Sequence, residues 1–503
     1  MEATNTTPNR PPYGIIAVLM IGAFIAFLNN TLLNVALPSI MTDLDVETAT
    51  VQWLTTGYML VNGVLIPATA FLIEKYSVRR LFLVAMTLFT TGTIIAGMAD
   101  VFPVLLSARM VQASGSAIMM PLLMNVMLVS FPVEKRGAAM GVFGLILMFA
   151  PAIGPTLSGW IIEHYDWRML FHFITPIAAT ILLLGFFLLK DKKEKVVMQL
   201  DLLSLVLSTL GFGGLLYGFS SASNLGWDSP FVYGTIIIGA ISLTVFIIRQ
   251  SKLERPMLNF GVFKYPMFSL SSTITIVVNT AMFSGFLLLP IYVQTIRGIS
   301  PFESGLMLLP GALLNAAMSP ITGRLFDKIG GKILAVTGLA ITTLVTYLFS
   351  QLTMETGYYY IMFLHAVRMF GMSMVFMPVS TNGLNQLPRR FYPHGTAMNN
   401  TLNQVSAAIG TALLITLMSI RQEQYTAEAL GQLTGQPSAD VQYQIMLEAM
   451  LGGINDTFFI STFITAIALI LAFFMKRAKQ AEDPLEEKQE QVEKKVKPEL
   501  VKS

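Results

Sequence analysis

Long apolar runs, broken by short polar clusters, recur along the whole chain. A helix needs about 20 mostly apolar residues to cross the hydrocarbon core of a bilayer. A window of that length predicts fourteen spanning helices, near residues 13–37, 51–73, 81–99, 103–129, 137–162, 168–189, 201–221, 230–249, 267–293, 302–325, 332–352, 357–387, 395–420 and 454–475. Most of the intervening polar clusters are short. The long one is Arg421 to Gly453, containing "GQLTGQPSAD". Its flanks, "QEQYTAEAL" and "VQYQIMLEAML", read as short amphipathic helices lying over the outer mouth. The stretch after Phe474 mixes charges and is poor in apolar residues, which predicts disorder or a loose helix.

Composition settles the class. Of 503 residues, 54% are hydrophobic and 12% charged, with mean hydropathy +0.65; a soluble domain carries roughly 25% charged residues. Lys and Arg then set the expected orientation, because cytoplasmic loops retain cations. With the N-terminus inside, the cytoplasmic loops hold Lys75, Arg79 and Arg80; Lys135 and Arg136; Lys190 to Lys195; Arg249 to Lys264; Arg324 to Lys332; and Arg389 and Arg390. The opposite loops keep Arg168, Arg297 and Arg421 beside acids such as Asp43, Asp45, Asp100, Glu163, Asp166 and Asp228. Both ends are therefore expected in the cytoplasm. The net charge of +3 is topological and does not point to nucleic acid. With no cysteine there is no disulfide, thiolate metal site or Cys nucleophile. The opening "MEATNTTPNRPP" is too short and too neutral for a cleavable signal.

The chain also repeats itself at offsets of about 255 residues. "SARMVQASGSAIMMP" is echoed by "AVRMFGMSMVFMP", "AFLIEKYSVRR" by "GRLFDKIGGK", and "RGAAMG" by "HGTAMN". Two six-helix halves thus flank an extra pair, the seventh and eighth helices. The expected division is a cytoplasmic N-terminus (1–12), a first half (13–190), a linker with the extra pair (191–255), a second half (256–475, with 421–453 as an extracellular loop) and a cytoplasmic tail (476–503). Repeated halves with a binding site between them are the architecture of alternating-access transporters.

Five stretches carry further detail: "AFLIEKYSVRR" with its echo "GRLFDKIGGK", "RMVQASGSAIMMP", "APAIGPTLSGW", "DWRMLFHFITPIA" and "LNNTLLNVALP". Together they resemble the major facilitator superfamily, and within it the fourteen-helix drug:proton antiporters of the EmrB, QacA and lincomycin-resistance type. The resemblance implies an all-α polytopic fold of two six-helix halves plus two helices. In the family pattern G-x-L-x-D-R-x-G-R-R, Ala70, Glu74, Lys75 and Ser77 are departures, whereas Arg79 and Arg80 match; the echo has Gly323, Asp327, Lys328, Gly330 and Lys332. The resemblance makes these a cytoplasmic lock that parts when the protein opens inward. Arg109, Gln112, Gly115 and Pro121 match R-x-x-Q-G-x-G-x-x-x-x-x-P, with Ala113 for the first Gly. Gly154, Pro155 and Gly159 match the antiporter signature; Ala150 replaces its upstream Gly and Pro151 is extra. Trp167, Arg168, Phe171, Pro176 and Ile177 match W-R-x-x-F-x-x-N-x-P-I, with Thr175 for Asn. Two prolines four apart bend a helix and small residues admit a close neighbour, so Pro151, Gly154, Pro155 and Gly159 are gating candidates with Glu74, Arg79, Arg80, Asp327 and Lys328.

In L-D-x-T-I-V-N-V-A-L-P the family's acid falls on Asn29. Asn30 and Asn34 share one helix face. Amides in hydrocarbon need partners, so they face a cavity or a neighbouring helix; interhelical bonding and substrate contact both fit. Asn cannot titrate, and no carboxylate sits at mid-membrane depth. The ionisable candidates there are Arg109, Arg368, His365 and, nearer the outside, His172. A guanidinium at Arg109 costs roughly 3 kcal/mol unless paired or wet. It either snorkels outward or shares an inward polar stripe with Gln112, and the second fits better. Glu74, Glu163, Asp166 and Asp201 at helix ends are the acids left to carry a proton. The remaining pathway candidates are Gln52, Asn62, Asn125, Asn279, Gln294 and Asn315, with Asn399, Asn400, Asn403 and Gln404 on the thirteenth helix. The 31 methionines and 34 phenylalanines supply adaptable walls.

The expected function is proton-coupled export of amphipathic drugs by alternating access in a bacterial plasma membrane. The partners are small amphipathic substrates, protons and membrane lipids, with no nucleic acid, no metal and no cofactor, in a monomer. The alternative is an exporter of anionic amphiphiles, phosphate-bearing metabolites or lipids, not coupled through the first helix. An enzyme would need paired carboxylates or a His cluster at the surface, and the short loops have none. A sensor would need a folded soluble domain, for which the tail is too short.

Overall fold

The computed structural model describes residues 12–190, 201–432 and 438–481, with the side chains of Asn34 and Pro155 among those left outside the described set. The described residues form helices with short 3-10 and π turns and no strand. In chain order the α-helices are α1 (Tyr13–Asp43), the four-residue α2 (Thr48–Val51), α3 (Trp53–Lys75), α4 (Val78–Gly97), α5 (Phe102–Ser130), α6 (Arg136–His164), α7 (Met169–Leu188), α8 (Leu202–Leu225), α9 (Pro230–Lys252), α10 (Pro266–Ile291), α11 (Pro301–Ile329), α12 (Gly331–Phe349), α13 (Tyr358–Ser373), α14 (Phe376–Gln386), α15 (Tyr392–Gly431) and α16 (Ala439–Phe473). Thirteen helical stretches among the described residues are long and apolar enough to cross a membrane. The 26-residue α10 lies where the remaining expected span was placed.

One span is broken. α13 and α14 occupy a single stretch, Tyr358–Gln386, interrupted at Met374 and Val375. Pro378 has no N–H to return to the carbonyl four residues earlier, which is that of Met374, so the ladder fails where the helix stops.

The first half gathers around α1, which packs on α5, α6 and α7; α4 lies against α5 and α7. The second half is built likewise, with α10 on α14, α15 and α16, and α12 on α13 and α16. α8 and α9 pack on each other, and α8 bridges α3 and α15. Trp53 stacks on Tyr217 of α8 at 5.6 Å, and Trp227 Nε1 between α8 and α9 donates to Thr416 Oγ1 of α15 at 2.6 Å. The two halves touch most extensively along α6 and α11, and again along α3 and α15.

Two readings of the sequence change here. The stretch 421–453 is mostly helix, not a loop with separate helices laid across a mouth: α15 runs on to Gly431 and α16 starts at Ala439. The two extensions form a hairpin, in which Arg421 Nε pairs with Asp456 Oδ2 at 3.2 Å and Tyr425 Oη donates to the same oxygen at 3.1 Å. Residues 474–481 also hold to the body. Asn382 of α14 donates to the Lys476 carbonyl at 3.0 Å and accepts from the Ala478 N–H at 3.1 Å, and Arg477 donates to the Asp327 carbonyl at 2.7 Å. The rest of the tail lies outside the described residues.

The "DWR" stretch anchors one end of the first half. Arg168 Nη1 and Trp167 Nε1 both donate to Asp43 Oδ2, at 2.8 and 3.1 Å, and Arg168 Nε donates to the Ala99 carbonyl at 3.0 Å. The ends of α1, α4 and α7 are thereby tied together.

Candidate functional site

The amide stretch of α1 meets α5 inside the first half. Arg109 is fully buried and does not snorkel. Its Nη1 donates to Gln112 Oε1 at 2.9 Å and its Nη2 to Asn30 Oδ1 at 3.1 Å, while its guanidinium lies 4.2 Å from the Tyr58 ring centroid. Gln112 Nε2 passes the chain on to Thr93 Oγ1 at 2.8 Å, and Thr93 donates to the Phe89 carbonyl at 2.7 Å. Every partner is neutral. Asn30 is half-buried on the accessible stripe of α1 that also carries Ile21, Phe24 and Phe27, so the network reaches the helix surface through this one amide. Asn29 points the other way: it is buried, and its Nδ2 has no partner.

α6 packs its small residues onto the same stretch. A Cβ at Gly154 would overlap Thr31 Oγ1, and Ser158 Oγ donates to the Leu32 carbonyl at 2.6 Å. Thr31 itself donates to the Leu28 carbonyl at 2.8 Å. Gly159 by contrast faces open space, and Pro151 is half-buried.

The second half holds the counterpart. Arg368 of α13 is fully buried, and its Nη2 donates to the carbonyls of Ala281 and Met282 at 3.1 and 3.4 Å and to Ser284 Oγ at 3.2 Å. The guanidinium lies where a Cβ on Gly285 would be, so only glycine lets α10 take it. Nε and Nη1 of Arg368 have no partner, nor does Nδ1 of the buried His365 one turn earlier. Nearby polar groups form their own cluster: Asn279 Nδ2 donates to Asn403 Oδ1 at 2.8 Å and to Ser406 Oγ at 3.3 Å. Asn315 Nδ2 lies 3.9 Å from Met369 Sδ.

The other sequence candidates scatter. Asn125 and Asn399 are buried in α5 and α15, the former with its Oδ1 unpaired. Gln52 caps the start of α3, remote in sequence from the amide stretch. Arg79 Nη2 donates to the Phe186 carbonyl at 3.1 Å, and Arg80 and Lys328 are exposed. Of the helix-end acids, Asp201 is bound to Arg249 Nε at 2.7 Å; that hydrogen bond, with Ser204, holds its carboxyl down at about 2.

Where the halves touch, the acids do something the basic residues around them did not foretell. Asp327 at the end of α11 accepts from the N–H groups of Gly137 and Ala138 at the start of α6, both at 2.8 Å. The first turn of a helix offers unpaired N–H groups and a positive dipole end. Glu74 at the end of α3 meets His394 Nε2 at 3.0 Å at the start of α15, the position that repeats Arg136. His394 Nδ1 accepts the Asn259 N–H at 3.2 Å, which fixes the tautomer with the proton on Nε2. Arg136 adds two donations across the boundary, to Asn385 Oδ1 at 3.2 Å and Tyr392 Oη at 2.8 Å. Close approach is possible because Gly137 and Gly323 face each other: a Cβ on Gly137 would lie 2.5 Å from the Gly323 carbonyl. This clasp closes the end where α3, α5 and α11 finish and α6 and α15 begin.

Thirteen long apolar helical stretches among the described residues, in two pseudo-repeated halves with an inserted pair and a clasp at one end over buried polar clusters, define a polytopic membrane transporter, not an enzyme. The chain belongs to the Major Facilitator Superfamily, whose family model matches residues 19–411. It is 44% identical over 467 residues to the lincomycin resistance protein LmrB of Bacillus subtilis, covering 92% of this chain and 96% of that one. It is 26% identical over 482 residues to the multidrug export protein EmrB of Haemophilus influenzae, covering 91% and 94%. The solved structure of the human organic anion transporter MFSD10 (TETRAN) shares the fold, with a TM-score of 0.62 at 13% identity over 91% of this chain and all of that one. The protein is a multi-pass component of the bacterial cell membrane.

Proposed function

We propose that this protein exports amphipathic small molecules, including antibiotics, in exchange for protons by alternating access. Two observations support this reading beyond kinship with resistance proteins. The clasp consists of two contacts related by the internal repeat, Asp327 on α6 and Glu74 on α15, so the halves can part there as units. Buried polar clusters of the two halves, Asn30–Arg109 and Asn279–Asn403, lie on helices of either half, as a site between repeats requires. The Lys and Arg distribution argues for both termini and the clasp on the cytoplasmic side, and on that reading the arrangement is closed to the cytoplasm. The candidates Asn29, Asn30, Arg109, Gln112, Asn279, Asn403, His365 and Arg368 then line or support the pathway, with divisions near 190 and 256 and a monomer as the working unit.

The clasp carries the reading. Asn29 is an amide, so the candidates for carrying the proton are His365 and the helix-end acids Glu74, Glu163, Asp166 and Asp201, the last of them ion-paired with Arg249. Purified protein in liposomes under an imposed pH gradient should show proton movement on addition of lincomycin or a lipophilic dye. A background rate unchanged by every compound rejects proton-coupled export. Flux appearing only in Asn29→Asp would mean that the amide at this position leaves the exchange uncoupled.

A further inference from the structure

Two complete positive charges sit inside the helix bundle without a counter-charge. Arg109 is satisfied by Asn30, Gln112 and the Tyr58 ring, and Arg368 by two carbonyls and a hydroxyl. Among the described residues no carboxylate pairs with either. Three guanidinium nitrogens, Nε of Arg109 and Nε and Nη1 of Arg368, are buried with no acceptor at all. Removing a charge from water is repaid by an opposite charge far better than by neutral dipoles. The position where the family pattern carries an acid is filled by Asn29, which adds an unpaired donor and no negative charge.

Asn30 connects this interior to the outside of α1. It is half-buried, it accepts directly from Arg109, and its neighbours on the stripe are Phe24 and Phe27. An apolar stripe ending in an amide backed by a guanidinium suits a molecule with an aromatic or aliphatic body and one negative group. Such a ligand would set its negative group beside Asn30, whose Oδ1 already accepts from Arg109, and so bring a counter-charge close to the guanidinium. A permanent cation would meet two like charges with no relief.

We propose that the accessible stripe of α1, with the buried polar clusters of the two halves behind it, selects amphiphiles bearing a single carboxylate or sulfonate over cationic ones, through the uncompensated charges of Arg109 and Arg368. This rests on the export reading and names the charge class of its substrates. The probes are three compounds on one dansyl scaffold, ending in a carboxylate, a primary amide or a quaternary ammonium. Binding to the full-length protein in nanodiscs is followed by fluorescence, and transport is followed separately in liposomes. The carboxylate is expected to bind about tenfold or more tighter than the ammonium, with the amide between. Asn30→Asp places a carboxylate against Arg109, and Ser284→Asp does the same for Arg368; each should lower the carboxylate-to-ammonium ratio by about tenfold. The ratio is taken within one protein sample, so a loss of folded material does not alter it. Ammonium bound as tightly as carboxylate, no binding of any probe, or a ratio untouched by both substitutions overturns the proposal. Carboxylate preference without transport supports it and rejects export, whereas transport with ammonium preference rejects it and leaves export standing.

Discussion

At the scale of single residues, the outcome turns on which polar groups found partners. Asp43 found two, and the Arg168 hydrogen bond, helped by Trp167, holds its carboxyl below the usual carboxylate range. A folded value depressed below the unfolded one, about 3.9, gives stability that is present above that pH and lost as pH falls through the folded value. The side chains of Asp43 and Arg168 are 43% and 21% exposed, so solvent screening caps the pair at about 1 kcal/mol. Asp43→Asn is therefore expected to lower the melting temperature of the detergent-solubilised protein modestly at pH 7. The gap should narrow as the pH drops below about 4. A gap of constant size from pH 7 to pH 3 would mean that the aspartate acts through shape and not charge.

At the scale of elements, helix positions were legible because an apolar run of fixed length has one physical use in a bilayer. Pairings between elements were less so. "RGAAMG" and "HGTAMN" were visible as a repeat, yet their use as landing sites for Asp327 and Glu74 was not, because the contacts join residues 190 and about 320 positions apart. His394 was overlooked for the same reason; its signal was its place opposite Arg136 in the repeat. Tyr58 and Thr93 read as ordinary span residues until Arg109 and Gln112 turned towards them. The flanks of 421–453 were legible as helix, but not as continuations of α15 and α16, because their residues are polar and Arg421, Tyr425 and Asp456 hold them by mutual contact and not by burial in lipid. The clasp between α6 and α11 rests on backbone approaching backbone. Gly323→Ala would drive a methyl into the Gly137 carbonyl, where neither helix can yield alone. Overpacking of this kind costs roughly 1–3 kcal/mol, enough to shift a two-state balance about tenfold. Since the chain has no cysteine, the effect can be read from maleimide labelling of the buried position 139 in Ala139→Cys. Labelling should accelerate with Gly323→Ala and stay level with Gly159→Ala, where the space is open. Equal rates in both would show that the glycine contact does not hold that end shut.

At the scale of the whole molecule, two halves, one clasp and an inserted helix pair imply a reciprocal motion. If the halves move as units, opening the clasped end must narrow the opposite one, because each half is tied internally: the first by the Asp43–Arg168–Ala99 anchor, the second by the Asn382 contacts with residues 476 and 478. α8, touching both α3 and α15, spans the boundary without joining the clasp itself. Spin labels on the exposed positions Lys135 and Lys328 flank the clasp, and labels on Asp166 and Glu355 sit away from it, one on each half. In the cysteine-free background each pair can be placed alone. The 135–328 distance should lengthen in Gly323→Ala, and the 166–355 distance should shorten in the same samples. If both distances grow together, the halves separate without rocking, and the buried clusters would open to both sides at once. Such a protein would leak and could not pump, so this pair of distances tests the exchange mechanism independently of any substrate.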